Sequence, residues 1–139
     1  MAIEVAKKVK DEVPVCAIVI KNNKLISCTV NKTEASFDVT AHAEILAIKE
    51  AAKQFSNWRL NDCTLYTTLE PCPMCVCAIL NSRISKLVFG PYDPNLGACG
   101  SKTNFISDLC KQSQIEVMGG ILELKASKLL KDFFAAKRL

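Results

Sequence analysis

The chain has 139 residues, half of them hydrophobic and 23% charged, with 5 Gly and 5 Pro. That suffices for one domain spanning 1–139 around a single core, and it excludes a long disordered segment. Eighteen Lys and Arg against 14 Asp and Glu give a net charge of +4, which permits an acidic partner but lacks the dense basic surface of a dedicated nucleic-acid binder.

The first twelve residues mix Glu4, Asp11 and Glu12 with Lys7, Lys8 and Lys10, so they hold no apolar core of a signal peptide. The apolar run over residues 13–20 is broken by Pro14 and falls far below the about 20 residues of a membrane span. The expectation is a cytoplasmic protein with no membrane segment. In that reducing compartment the eight cysteines read as metal ligands or buried thiols rather than disulfides. Cys16, Cys28, Cys63, Cys77 and Cys110 lie in or beside apolar segments and read as packing residues.

In chain order, residues 2–11 predict a short helix. Residues 15–20 and 24–30 predict two strands joined by Asn22-Asn23, residues suited to a tight hairpin turn. A helix is predicted to begin with Thr40 as N-cap, because Ala41, Ile45, Ile48, Ala52 and Phe55 recur at helical spacing and would face the core. Residues 64–68 predict a third strand, residues 73–81 a helix opening on Pro73, and residues 86–90 a fourth strand. The Pro73 helix is apolar nearly all round, through Met74, Val76, Ala78, Ile79 and Leu80, which predicts an interior or interface position. Residues 91–104 form a loop long enough to suggest function. Residues 115–118 predict a fifth strand, and residues 126–138 a closing helix carrying Leu129, Leu130, Phe133 and Phe134. Alternating strands and helices indicate a layered α/β domain.

The chemistry concentrates in His42-Ala43-Glu44 and, thirty residues past His42, in Pro71-Cys72-Pro73-Met74-Cys75. Cysteines three apart at a helix start share one face, and the positive helix end favours thiolates. A C-x-x-C alone is a weak metal signal. Joined to the only histidine, it supplies His42, Cys72 and Cys75 as ligands for zinc, and three ligands plus water is the catalytic arrangement. The competing reading is a closed structural site with a fourth protein ligand. Cys77 lies about 200° around the helix from Cys75, whereas Cys99 stays open as that ligand.

Glu44 separates the two readings. It borders the apolar stripe beside His42, where burial raises a carboxyl pKa toward the range useful in proton transfer. Read alone, it is an ordinary first-turn Glu favoured by the helix dipole. Beside a zinc ion that brings the pKa of water to about 7, a proton-shuttling Glu44 gives hydrolytic deamination. H-x-E with P-C-x-x-C is the signature of zinc-dependent base deaminases.

Beyond that signature, the chain resembles the bacterial tRNA-specific adenosine deaminases from Val13 almost to its end. The resemblance is carried by Val13-Pro14-Val15, Thr40-Ala41-His42-Ala43-Glu44-Ile45, Thr64-Leu65-Tyr66, Thr68-Leu69-Glu70-Pro71-Cys72, Ser82-Arg83-Ile84 and Asp132-Phe133-Phe134. It implies a cytidine-deaminase-like three-layer α/β/α domain with a five-stranded mixed sheet. It also implies one zinc per subunit and a homodimer whose subunits both shape the RNA site. The implied reaction converts the wobble adenosine of a tRNA anticodon loop to inosine and releases ammonia.

The resemblance further implies substrate contacts at Asn31, Ala43 and Asp93, and at Phe133, Phe134, Lys137 and Arg138 on the terminal helix. Aromatics stacked on unpaired bases beside cations on phosphates suit an anticodon stem-loop. Each position also has a structural reading. Asn31 can be a polar strand end, Asp93 part of an ordinary Tyr92-Asp93-Pro94-Asn95 turn, and at least one phenylalanine core. The chain departs from the family at Cys16 and Cys28, where glycine is common, at Cys99 in place of a small residue, and at Val30 in place of an aromatic.

Two other functions compete. The same zinc chemistry can act on a free base or nucleoside such as guanine, cytosine or adenosine, which the terminal Phe-Phe and Lys-Arg pairs disfavour. A noncatalytic zinc subunit would have no use for Glu44.

Overall fold

The computed structural model describes residues 1–109 and 115–137, so Cys110 and Arg138 lie outside the described residues. Its five strands form one sheet in the order β2-β1-β3-β4-β5. They are β1 (Cys16–Lys21), β2 (Lys24–Val30), β3 (Cys63–Thr67), β4 (Lys86–Phe89) and β5 (Glu116–Met118). β1 runs antiparallel to β2 and β3, whereas β3-β4 and β4-β5 are parallel. Asn22 and Asn23 close the β1-β2 hairpin at φ 52° and 60°, the left-handed pair that a tight hairpin demands. Parallel neighbours need crossover connections. Helix α4 (Pro73–Asn81) lies in the first crossover and α5 (Phe105–Leu109) in the second.

Alternate residues near β1 point to opposite faces of the sheet. Val15, Ala17 and Val19 pack with Ala43, Ala47 and Ala51 of α3 (Ala43–Phe55) and with Ile79 of α4. Cys16 and Ile18 face the other way, against Ala6 of α1 (Ala2–Ala6) and Leu129 of α6 (Glu123–Lys137). Helices therefore cover both faces, and the three-layer mixed sheet matches the predicted class.

Several boundaries differ from the sequence reading. Helix α1 stops at Ala6 instead of residue 11; only Ala6 is fully buried, and so short a helix needs packing to persist. Thr40 does not cap α3. Its amide and hydroxyl both donate to Asp38 Oδ1, at 2.8 and 2.7 Å, and His42 is the N-cap. The buried face of α3 is Ala43, Glu44, Ala47 and Ala51, while Ile45, Ile48 and Ala52 flank it half-buried. Phe55 is exposed, with Lys21 Nζ 5.1 Å from its ring centroid. Two one-turn helices are absent from the sequence reading: α2 (Thr33–Ser36) and α5. Both are too short to show a period. Helix α6 begins three residues earlier than predicted, at Glu123.

Candidate metal and catalytic site

Two helix N-termini converge on one point. His42 caps α3 at φ −73°, ψ 151°, and Cys72 caps α4 at φ −75°, ψ 171°, with Pro73 opening the helix behind it. His42 Nδ1 lies 3.6 Å from Cys72 Sγ and 3.5 Å from Cys75 Sγ, and the two sulfurs are 3.7 Å apart. A tetrahedral zinc with bonds of about 2.3 Å to sulfur and about 2.05 Å to nitrogen has edges of about 3.8 Å (S–S) and about 3.6 Å (N–S). The three side chains fit such an ion. Among the described residues they form the only cluster of this kind, so neither Cys77 nor Cys99 joins it as a fourth donor.

The sulfur electrostatics follow from this crowding. The Cys75 thiol hydrogen-bonds to Cys72, which holds the Cys72 pKa down at about 5, while Cys75 is pushed up by the same bond and by burial. Both helix ends add positive potential. A divalent cation held by the pair favours both sulfurs as thiolates.

Glu44 is only 4% exposed. Loss of solvent raises its carboxyl pKa above the ordinary value, opposed in part by hydrogen bonds from its own backbone and from Cys75. Burial next to the triad thus shifts it in the direction that suits a group passing a proton. Its buried neighbours on that helix face, Ala43, Ala47 and Ala51, offer the carboxyl no side-chain partner.

Glu44, His42 and Cys72 line a cavity of about 1080 Å³ whose walls also carry Asn31, Asp93 and Phe134. Asn31 Oδ1 accepts the Ala43 amide N–H at 2.7 Å and so supplies the first-turn cap that Thr40 does not. Ala43 is fully buried, its N–H held by Asn31 and its carbonyl accepting from Thr29 Oγ1 at 2.7 Å. It is not among the lining residues. Asp93 lines the cavity, yet its Oδ1 accepts the Asn95 amide at 2.9 Å, as the turn reading anticipated. Phe133 is half-buried and Phe134 exposed, with rings 5.3 Å apart edge to face. Both line the cavity, so the expectation that one is core is corrected. Lys137 is the last residue of α6.

Two acidic residues were given no role of their own in the sequence reading. Glu12, 7% exposed, accepts the Glu34 and Ala35 amides at 3.1 and 2.8 Å and so pins α2 at the cavity edge. Glu70, 2% exposed, accepts amides from the loop after β4. Neither has a local signal, because the partners lie more than twenty residues away. Cys99, half-buried in that loop, has its thiol pushed up to about 12 by burial and by Glu70 and Glu44.

A family model described as MafB19-like deaminase matches residues 2–138. The tRNA-specific adenosine deaminase of Bacillus subtilis (strain 168) is 42% identical over 139 residues, covering 99% of this chain and 86% of the relative. That of Haemophilus influenzae is 42% identical over 140 residues, covering 99% and 81%. A solved tRNA:A34 deaminase superimposes with TM-score 0.83 at 33% identity, over 92% of this chain and 94% of the other. Guanine deaminase from Nitrosomonas europaea aligns with TM-score 0.77 at 27% identity, over 90% and 75%. With near-complete coverage, a shared fold and the H-x-E and P-C-x-x-C residues gathered at one cavity, the chain belongs to the tRNA-specific adenosine deaminase family.

Proposed function

We propose that this chain, acting as one deaminase domain, hydrolytically deaminates the wobble adenosine of a tRNA anticodon loop to inosine and releases ammonia, with one zinc held by His42, Cys72 and Cys75. The observation that carries the reading is a buried carboxyl, Glu44, beside a zinc-fitting triad at the wall of a cavity larger than a single base requires. When bound, the zinc supplies the acidity that ionises water at neutral pH. Glu44 accepts one proton from the attacking water and delivers it to the ring nitrogen. It then takes the second proton from the hydroxyl newly bonded to the ring carbon and gives it to the departing amine, so that the water oxygen stays as the carbonyl and the nitrogen leaves as ammonia.

The remaining contacts hold the nucleotide. Asn31 Oδ1 is committed to Ala43, which leaves its amide hydrogens to donate to the purine. The Ala43 backbone acts through that bond. Phe133 and Phe134 stack on neighbouring unpaired bases, Asp93 contacts the loop RNA, and Lys137 and Arg138 meet phosphates. The chain works as a homodimer, for which the half-buried Met74, Cys77 and Ala78 of α4 offer an apolar face. No helix among the described residues is long and apolar enough to cross a membrane, and the cytoplasm, which holds tRNA, is its place of action. Nucleoside analysis of tRNA from cells with and without this protein tests the reading. Wobble inosine should disappear with the protein, and its persistence at the parent level would refute the assignment.

A further inference from the structure

We propose that Glu70 is a positioning residue: its buried carboxylate fixes the loop of residues 91–101 as one wall of the cavity and so sets substrate affinity, without taking part in proton transfer. The inference rests on the reading of the cavity as the substrate site. Glu70 Oε1 accepts the Asp93 amide at 2.7 Å, and Oε2 accepts the amides of Cys99 at 2.9 Å and Ser101 at 3.2 Å. One carboxylate thus gathers both ends of a loop that contains no strand or helix between residues 91 and 101 and leaves Tyr92, Pro94, Asn95 and Leu96 exposed. Hydrogen bonds to an ionised acceptor in a water-poor site are the strong ones.

The backbone completes the clamp. Glu70 N–H donates to Pro91 O at 3.0 Å, and Ala98 N–H donates to Pro71 O at 2.9 Å. Gly97 lets the loop lie against the carboxylate, since a Cβ there would collide with Glu70 and with the Asp93 carbonyl. Asp93 and Tyr92 on this loop line the same cavity as Phe134 of α6. The next residue along from Pro71 is Cys72, so one short segment joins the loop wall to the metal ligands. His42 and Glu44 are carried by α3, and none of the Glu70 hydrogen bonds reaches that helix, so loosening the loop should leave their own anchorage in place.

The test uses Glu70→Gln, which keeps the side-chain volume but turns one acceptor oxygen into a donor facing an amide donor, and Gly97→Ala, which presses on the same clamp from the loop side. Hydrogen–deuterium exchange of amides 92–101 in the zinc-loaded protein should quicken about tenfold in both variants while the β-sheet amides stay protected. KM on the anticodon stem-loop should rise about tenfold, with kcat within about twofold and zinc content unchanged. Unchanged exchange and KM, or a fall in kcat at constant KM, would overturn the proposal, as would loss of zinc. The exchange measurement needs no substrate. If the parent turned over only free guanine, the function reading would fail, and the role of Glu70 would still be decided by exchange and by KM on guanine.

Discussion

Glu44 is the residue at which the sequence and the environment disagree most: a carboxyl on a helix face otherwise built of Ala43, Ala47 and Ala51. Its folded pKa is raised, chiefly by loss of solvent, above an unfolded value of about 4.3. The folded state therefore binds this proton more tightly than the unfolded chain does. Glu44 costs no stability below the unfolded value, and the cost grows as pH rises toward the folded pKa. In chelator-treated protein, Glu44→Gln should melt several degrees above the parent at pH 8, and the gap should close near pH 4. An advantage at pH 4 that vanishes at pH 8 would contradict this. The same variant loaded with zinc should lose about 10²-fold or more in turnover while keeping its metal, the size of a general acid–base contribution. The triad was legible because its spacings are local and its donor types specific. Glu70 and Glu12 were not, because a glutamate whose partners are amides 22 to 31 residues away carries no mark in the chain.

Helix α3 shows why an element can be found and its face misjudged. The large residues Ile45, Ile48 and Phe55 drew the predicted stripe, but the residues at 0% exposure are Ala43, Ala47 and Ala51. Small side chains let the helix lie close on Val15, Ala17 and Val19, and Ile48 packs against that cluster from the flank. Filling that gap should hurt. Ala47→Leu should destabilise the fold by about 1–3 kcal/mol through overpacking, read as a lower midpoint in urea, whereas an unshifted midpoint would mean that the contact is loose. The start of α3 was misplaced for a related reason. Thr40 has the right chemistry for a cap, but Asp38 engages it locally, and Asn31 at the end of β2 serves the helix instead. Strand positions survived better, because the β1 alternation and the Asn22-Asn23 turn are short-range signals.

At the scale of the whole molecule, the cavity draws on the end of β2, the N-termini of α3 and α4, the loop after β4 and helix α6. Its existence follows from the sheet order, which sets β1 and β3 side by side at the centre and brings distant segments to one mouth. The layered class could be read from the alternation of strands and helices. The sharing of one cavity by α6 and the Asp93 loop could not, because no local pattern records it. The fold does not choose the substrate, since guanine deaminase shares it at TM-score 0.77. What favours RNA is the 42% identity to tRNA-specific adenosine deaminases together with Tyr92, Phe133 and Phe134 on the wall of the cavity. An unpaired loop base can be extruded cheaply and read along its edge, which makes an anticodon loop a better target than a stem. Single-turnover deamination by the zinc-loaded protein, on an anticodon stem-loop with wobble adenosine, on free adenosine and on free guanine, tests this most directly. The account predicts rapid inosine formation in the stem-loop and very slow turnover of both free compounds; equal or faster turnover of free guanine or adenosine would contradict it.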